Sequence, residues 1–151
     1  KDIMSRTDIV QYAKSPEIVQ RFSELIGNER TANIYIYGVI AAVANNDALQ
    51  RCDPKSVMKS AADAATLGMN VDPNIKEAYL VPYGEQATLI VGWRGLRNMA
   101  YNTGKVRYLN VGALYEGQEW VEDQLTGVAE IEGDKAGNNV IGYFAYMQTK
   151  D

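Results

Sequence analysis

The hydrophobic period of this 151-residue chain changes near residue 77, which confines it to folds that place helices first and strands after. Upstream, apolar residues recur at helical spacing. Ser15-Pro16 offers a capping hydroxyl and then proline at the first helical position, where no N–H is needed. Ile18, Val19, Phe22, Leu25 and Ile26 follow at helical intervals, and Gly27 supplies a stop. Residues 32–45 read as a second helix, apolar over much of its circumference and so central to the core, with Asn45-Asn46-Asp47 ending it. Asp53-Pro54 opens a third helix by the same logic. Val57, Met58, Ala61, Ala62, Ala64 and Ala65 give it a small-residue stripe that permits close packing, and Gly68 ends it. Lys55 and Lys59, four apart, read as its solvated side.

Downstream the period shortens to two. Residues 77–83 and 86–91 are β-rich runs joined by Gly84-Glu85, a hairpin with a two-residue connection. Gly92 breaks the strand, residues 93–103 read as a short helix, and Gly104 stops it. Residues 106–115 form a strand with Gly112 as a weak point or bulge, and 119–121, 128–132 and 139–148 are further strands. The expected fold class is α+β: N-terminal helices followed by a mostly antiparallel β-sheet with one inserted helix. At this length the expectation is a single domain over residues 1–151.

Composition narrows the chemistry. The chain has no histidine and one cysteine, Cys52, so it holds neither a His/Cys zinc site nor a nucleophile activated by a histidine base. A single cysteine allows no internal disulfide, which fits an intracellular home, and Cys52 reads as a small buried hydrophobe rather than a reactive thiol. Thr103-Gly104-Lys105 is only the tail of a phosphate loop, without the upstream glycine, and no dinucleotide-binding glycine pattern is present. No cofactor is indicated; Mg2+ is compatible with the chain, but no residue pattern calls for it. No apolar run approaches the roughly 20 residues needed to cross a bilayer, so no membrane is expected. Residues 1–12 are polar, with Asp2, Arg6 and Asp8, unlike a secretory leader, and the chain opens on Lys1 rather than Met, as a piece of a longer protein would.

Charge is unevenly distributed. The net charge is −4, which alone argues against a nucleic-acid partner. Yet between Lys76 and Arg107 five cations face two acids, while between Glu116 and Asp134 there are seven acids and no base. A basic patch therefore sits inside an acidic total. Arg94, Arg97, Lys105 and Arg107 fall between positions 93 and 107 with no acid among them. On the inserted helix Arg94, Arg97 and Tyr101 share a face with Asn98 beside them, and Leu96, Met99 and Ala100 are expected toward the core. Cations interleaved with Trp93, Tyr101 and Asn98 suit single-stranded nucleic acid: they neutralise phosphates and release counterions, while aromatic faces stack on bases. The plainer alternative is an ordinary solvated helix with Trp93 packed in the core. Lys76 and Gln86, near the hairpin, are further candidate contacts.

Several segments in order resemble one family. They are Cys52-Asp53-Pro54-Lys55-Ser56-Val57, Ala65-Thr66-Leu67-Gly68-Met69, Glu77-Ala78-Tyr79-Leu80-Val81-Pro82-Tyr83, Leu89-Ile90-Val91-Gly92-Trp93-Arg94-Gly95-Leu96 and Asn102-Thr103-Gly104-Lys105-Val106. The strand end from Val111 to Gly117 fits as well. Together, in register from about position 12 to 148, they resemble the RecT/Redβ family of phage single-strand annealing proteins. The resemblance implies an ATP-independent, non-enzymatic protein that binds single-stranded DNA and annealed duplex as a homo-oligomer, in rings or helical filaments. It implies the cytoplasm of a bacterial host, a phage exonuclease and the host single-strand-binding protein as partners, and a lysine-rich region beyond position 151 that carries those contacts. It assigns Arg94 to a phosphate, puts Trp93 where the family has tyrosine, and makes Gly92 and Gly95 turn glycines.

Two other classes compete with this one. The opposed basic and acidic segments suit a self-assembling interaction module docking head to tail. Glu119, Glu122 and Asp123 offer a nuclease-like metal site, but acids at a strand end and turn are commonly just solvated.

Overall fold

The structure, a computed structural model, describes residues 6–150; part of the polar opening stretch, residues 1–5, lies outside the described residues. The chain divides into two compact units, one up to Met99 and one from Ala100.

In the first unit helices α1 (Arg6–Ala13), α2 (Pro16–Ile26), α3 (Glu29–Ala44) and α4 (Pro54–Thr66) precede the antiparallel hairpin β1 (Ala78–Tyr83) and β2 (Gln86–Val91). Helix α2 begins at Pro16 as its sequence requires, but the Ser15 hydroxyl caps nothing; the Ser15 carbonyl instead accepts the Val19 N–H at 3.0 Å. Helix α3 starts three residues earlier than its apolar run suggests. The Asn28 side chain accepts the Thr31 N–H at 2.9 Å, so a local cap, not the hydrophobic pattern, sets the boundary. The core gathers Ile9, Ile18, Phe22, Ile36, Val39, Val43, Leu49, Val57 and Met58 with the alanines of α4.

Those small residues let α4 lie directly on β2. Both backbone polar groups of Ala87, which pairs with Pro82 across the hairpin, are satisfied from α4: Ser60 donates to the carbonyl and Ser56 accepts the N–H, each at 2.9 Å. The hairpin edge that would otherwise stand open is thereby closed by two hydroxyls one helical turn apart.

Helix α5 (Trp93–Asn102) runs across the unit boundary. In the second unit β3 (Val106–Tyr115) pairs antiparallel with β6 (Val140–Thr149), and β4 (Glu119–Glu122) with β5 (Ala129–Glu132). The strands thus make three separate two-stranded antiparallel ladders rather than one sheet. Gly112 is not a bulge. It pairs in register with Phe144, whose ring fills the space that a Cβ at Gly112 would need. The irregularities fall instead between Val106 and Tyr108 and between Leu114 and Tyr115. No helix among the described residues is long and apolar enough to cross a membrane.

Candidate nucleic-acid interface

Two glycines decide how α5 sits on the first unit. The Gly92 N–H donates to the Glu77 carbonyl at 2.8 Å, and a Cβ on Gly92 would lie about 3.0 Å from the carbonyls of both Lys76 and Glu77. One turn later, a Cβ on Gly95 would collide with the Glu77 carbonyl oxygen and the Met69 sulfur. Both glycines are buried. The helix therefore rests on its backbone, at a distance that only glycine tolerates.

This seating overturns the expected orientation of the apolar residues. Leu96 and Met99 do not face the core; they are 57% and 38% exposed. The face that meets the unit is occupied by Gly92, Gly95 and Asn98, so the bulkier side chains are rotated outward. Trp93 is not in the core either: it is 54% exposed, which removes the packed-tryptophan alternative. The guanidiniums of Arg94 and Arg97 lie over its ring, 5.6 and 5.1 Å from the centroid. Indole and cations form one cluster, with Arg94 exposed and Arg97 half-buried.

Asn98, expected beside the arginines on the strip, is tied to the strand start. Its Nδ2 donates to Glu77 Oε1 at 2.9 Å, while Glu77 Oε2 accepts the Asn70 N–H at 3.0 Å. Asn70, buried, in turn packs against Gly38 of α3 and donates from Nδ2 to the Ile34 carbonyl. The Glu77 carboxylate also adds to burial, the larger cause, in raising the Tyr35 phenol above its ordinary pKa. Sequence reasoning missed Glu77 and Asn70 as anchors of the site; a lone acid at a strand start carries no signal of what it will accept.

Lys76, immediately before Glu77, is exposed and has φ +63°, the left-handed region that favours glycine. Gln86 sits at the other end of the hairpin, beside the turn and opposite Tyr83. It lines an open cavity of about 510 Å3 with Asp53, Lys55, Ser56, Lys59 and Asp63, so it is not brought together with Trp93 and Arg94.

The remaining strip residues belong to the second unit. The Tyr101 hydroxyl is committed to Leu109, accepting its N–H at 3.0 Å. Lys105 follows Gly104, whose φ of +72° ends α5, and its carbonyl accepts the Lys150 N–H. Arg107 lies at the first β3 irregularity, and both cationic side chains are exposed. Among the described residues none of Lys76, Arg94, Arg97, Lys105 and Arg107 is held in an ion pair, whereas Lys59 and Asp63 pair at 2.9 Å on α4.

The acidic stretch folds as the β4–β5 hairpin. Glu119 stands directly opposite Glu132. Asp123 organises its turn, accepting the N–H groups of Leu125 and Thr126 at 2.8 and 2.9 Å, and these bonds hold its carboxyl below the usual carboxylate range. No group of acids among the described residues is arranged to hold a metal ion.

Comparison with known proteins places this geometry in context. An uncharacterized protein of Bacillus subtilis (strain 168), YqaK, is 34% identical over 135 residues, which are 89% of this chain and 47% of that protein. Protein RecT of Escherichia coli (strain K12) is 22% identical over 125 residues, 78% of this chain and 46% of its own. The chain thus spans about half the length of these curated relatives. The RecT family pattern matches residues 35–151, a stretch that includes most of α3, then α4, the hairpin, α5 and every strand that follows, and the chain belongs to the RecT family.

Proposed function

We propose that this protein binds single-stranded DNA through the cluster at the start of α5 and promotes pairing of complementary strands in recombination, without a nucleotide cofactor and without bond-making chemistry of its own. The observation that carries the reading is the Trp93–Arg94–Arg97 cluster. An exposed indole with two guanidiniums over it, neither in an ion pair among the described residues, stands on a helix seated by buried glycines. Arginines neutralise phosphates, and the indole offers a face for a base or sugar. Two like-charged strands repel; a surface that lowers that repulsion while leaving base edges free lets transient pairing succeed. Membership of the RecT family and the similarity to protein RecT favour annealing over simple coating of the strand. In this reading the protein works as an oligomer on DNA, with a phage exonuclease and the host single-strand-binding protein as partners, in a bacterial cytoplasm.

Titration of the Arg94→Ala/Arg97→Ala variant against a labelled oligonucleotide tests the assignment. Each lost phosphate contact flattens the log–log salt slope by about 0.7 on a single strand. Unchanged affinity and slope in that variant remove the site.

A second reading, a self-assembling module, is favoured by one observation in the second unit. Its β3–β6 ladder leaves Tyr143, Met147, Ile141 and Val111 more than half exposed, in a unit whose β4–β5 hairpin is acidic. Sedimentation with and without oligonucleotide separates the two: multimers that form without DNA and bind none favour the module.

A further inference from the structure

We propose that Glu77 is a positioning residue for the cationic cluster: it clamps α5 at both ends of the Trp93–Arg97 segment while withholding its own charge from the two arginines. This rests on the DNA-binding reading and gives that site its geometry.

The clamp has two jaws on one residue. The Glu77 backbone carbonyl accepts the Gly92 N–H at 2.8 Å and abuts Gly95, so it fixes the entry to the helix. The Glu77 side chain accepts from Asn98 Nδ2 at 2.9 Å, so it fixes the helix six residues later. Trp93, Arg94 and Arg97 lie between these points. Helix α5 has only ten residues, and its one buried residue, Gly95, contributes no side-chain packing, so it needs polar attachments to hold one rotation about its axis.

The second part of the argument is electrostatic. A carboxylate beneath a helix carrying two arginines ordinarily pairs with one of them, which would cancel half of the local charge. Here both carboxylate oxygens are taken by neutral donors, the Asn70 N–H on Oε2 and the Asn98 amide on Oε1. Neither Arg94 nor Arg97 is in an ion pair among the described residues. The acid thus orders the cluster and leaves its cations for phosphate.

The test uses the opposite signs of two effects. Glu77→Gln removes a negative charge beside a cationic site, so long-range electrostatics alone predicts tighter DNA binding. Positioning predicts weaker binding. A glutamine oxygen can accept from only one of the two donors and its NH2 group then faces the other; loosening that leaves about one molecule in ten in the binding-competent orientation raises Kd about tenfold. Asn98→Ala, which removes the donor, should weaken binding likewise, and it carries the test should the first variant fold poorly.

The exchange Glu77→Gln/Asn98→Asp restores both hydrogen bonds, the one between positions 77 and 98 with donor and acceptor reversed. The introduced glutamine would accept from Asn70 and donate to the introduced aspartate, but the carboxylate would now stand on α5 itself, four residues from Arg94. Thermal stability should recover while oligonucleotide affinity stays low; recovery of both would show that it does not matter on which element the carboxylate stands, and would overturn the electrostatic half of the proposal. Tighter or unchanged binding by both single variants overturns the proposal as a whole. The Arg94→Ala/Arg97→Ala protein, measured in parallel, keeps the two failures apart. If it binds weakly while the Glu77 and Asn98 variants bind normally, only the positioning role falls. If it too binds normally, the site and the positioning role fall together.

Discussion

Gly95 lies with its Cα against the carbonyl oxygen of Glu77, so close that no β-carbon fits between them. Replacing Gly95 by alanine sets two effects against each other. Alanine favours a helix interior over glycine by about 1 kcal/mol. Overpacking costs about 1–3 kcal/mol, and its upper half applies where the obstacle is backbone rather than a flexible side chain. Because the Glu77 carbonyl is backbone, Gly95→Ala should destabilise the protein by about 1–2 kcal/mol net, read as a lower urea midpoint at unchanged slope. Gly104→Ala is the useful contrast. Open space surrounds Gly104, so only its left-handed backbone is penalised, by about 1 kcal/mol.

The serine pair on α4 gives a second prediction. Ser56→Ala leaves the Ala87 N–H without its acceptor, and Ser60→Ala leaves the Ala87 carbonyl without its donor. Each should cost about 1–3 kcal/mol, the penalty for stranding a buried polar group. Since Ser60 is itself buried and Ser56 is only half-buried, the Ser60 variant should be the less stable of the two in thermal melts.

These two cases also mark what the sequence made legible. Helix starts at Pro16 and Pro54 and the hairpin turn at Gly84-Glu85 are set by residues adjacent in the chain, and each lies where its local chemistry puts it. The rotation of α5 was not legible. Apolar periodicity points Leu96 and Met99 inward, but the helix is held by Gly92 and Gly95 against a strand start well upstream in the chain, and a glycine's close approach leaves no periodic trace. Gly112 misled for the related reason that its partner, the Phe144 ring, comes from a distant strand. Within the candidate site, the charge of Arg94 and Arg97 was readable from the chain; the commitment of Asn98 and of the Tyr101 hydroxyl to internal partners was not.

Acid should loosen the β4–β5 turn. The Asp123 carboxyl is held below its ordinary value of 3.8 by N–H groups that only its charged form accepts well. A depressed folded-state pKa means that the stabilisation is present above the unfolded-state pKa and is lost as pH falls through the folded one. Hydrogen exchange and amide shifts of Leu125 and Thr126 should therefore be unchanged from neutral pH to about 5 and alter progressively below about 4. Asp123→Asn should show the loosened turn at neutral pH and no such acid transition.

Trp93 allows the binding reading to be watched directly. The chain has two tryptophans, Trp93 and Trp120, and the second packs against Phe144 with ring centroids 5.8 Å apart. Trp120→Phe keeps an aromatic ring there and leaves Trp93 as the sole indole. In that background a single-stranded oligonucleotide should quench the emission, because a base stacked on the ring, or a phosphate that draws Arg94 and Arg97 off it, changes the indole environment. Added salt should reverse the quenching as phosphate contacts are lost. Trp93→Ala in the otherwise native chain should weaken binding by about 1–3 kcal/mol if a base stacks there, with the salt slope preserved since no cation is removed. Arg94→Ala/Arg97→Ala should instead flatten the slope. The two variants therefore divide the site into a stacking part and an electrostatic part. A Trp93→Ala protein that loses slope along with affinity would show that the indole works by holding the guanidiniums in place rather than by meeting a base.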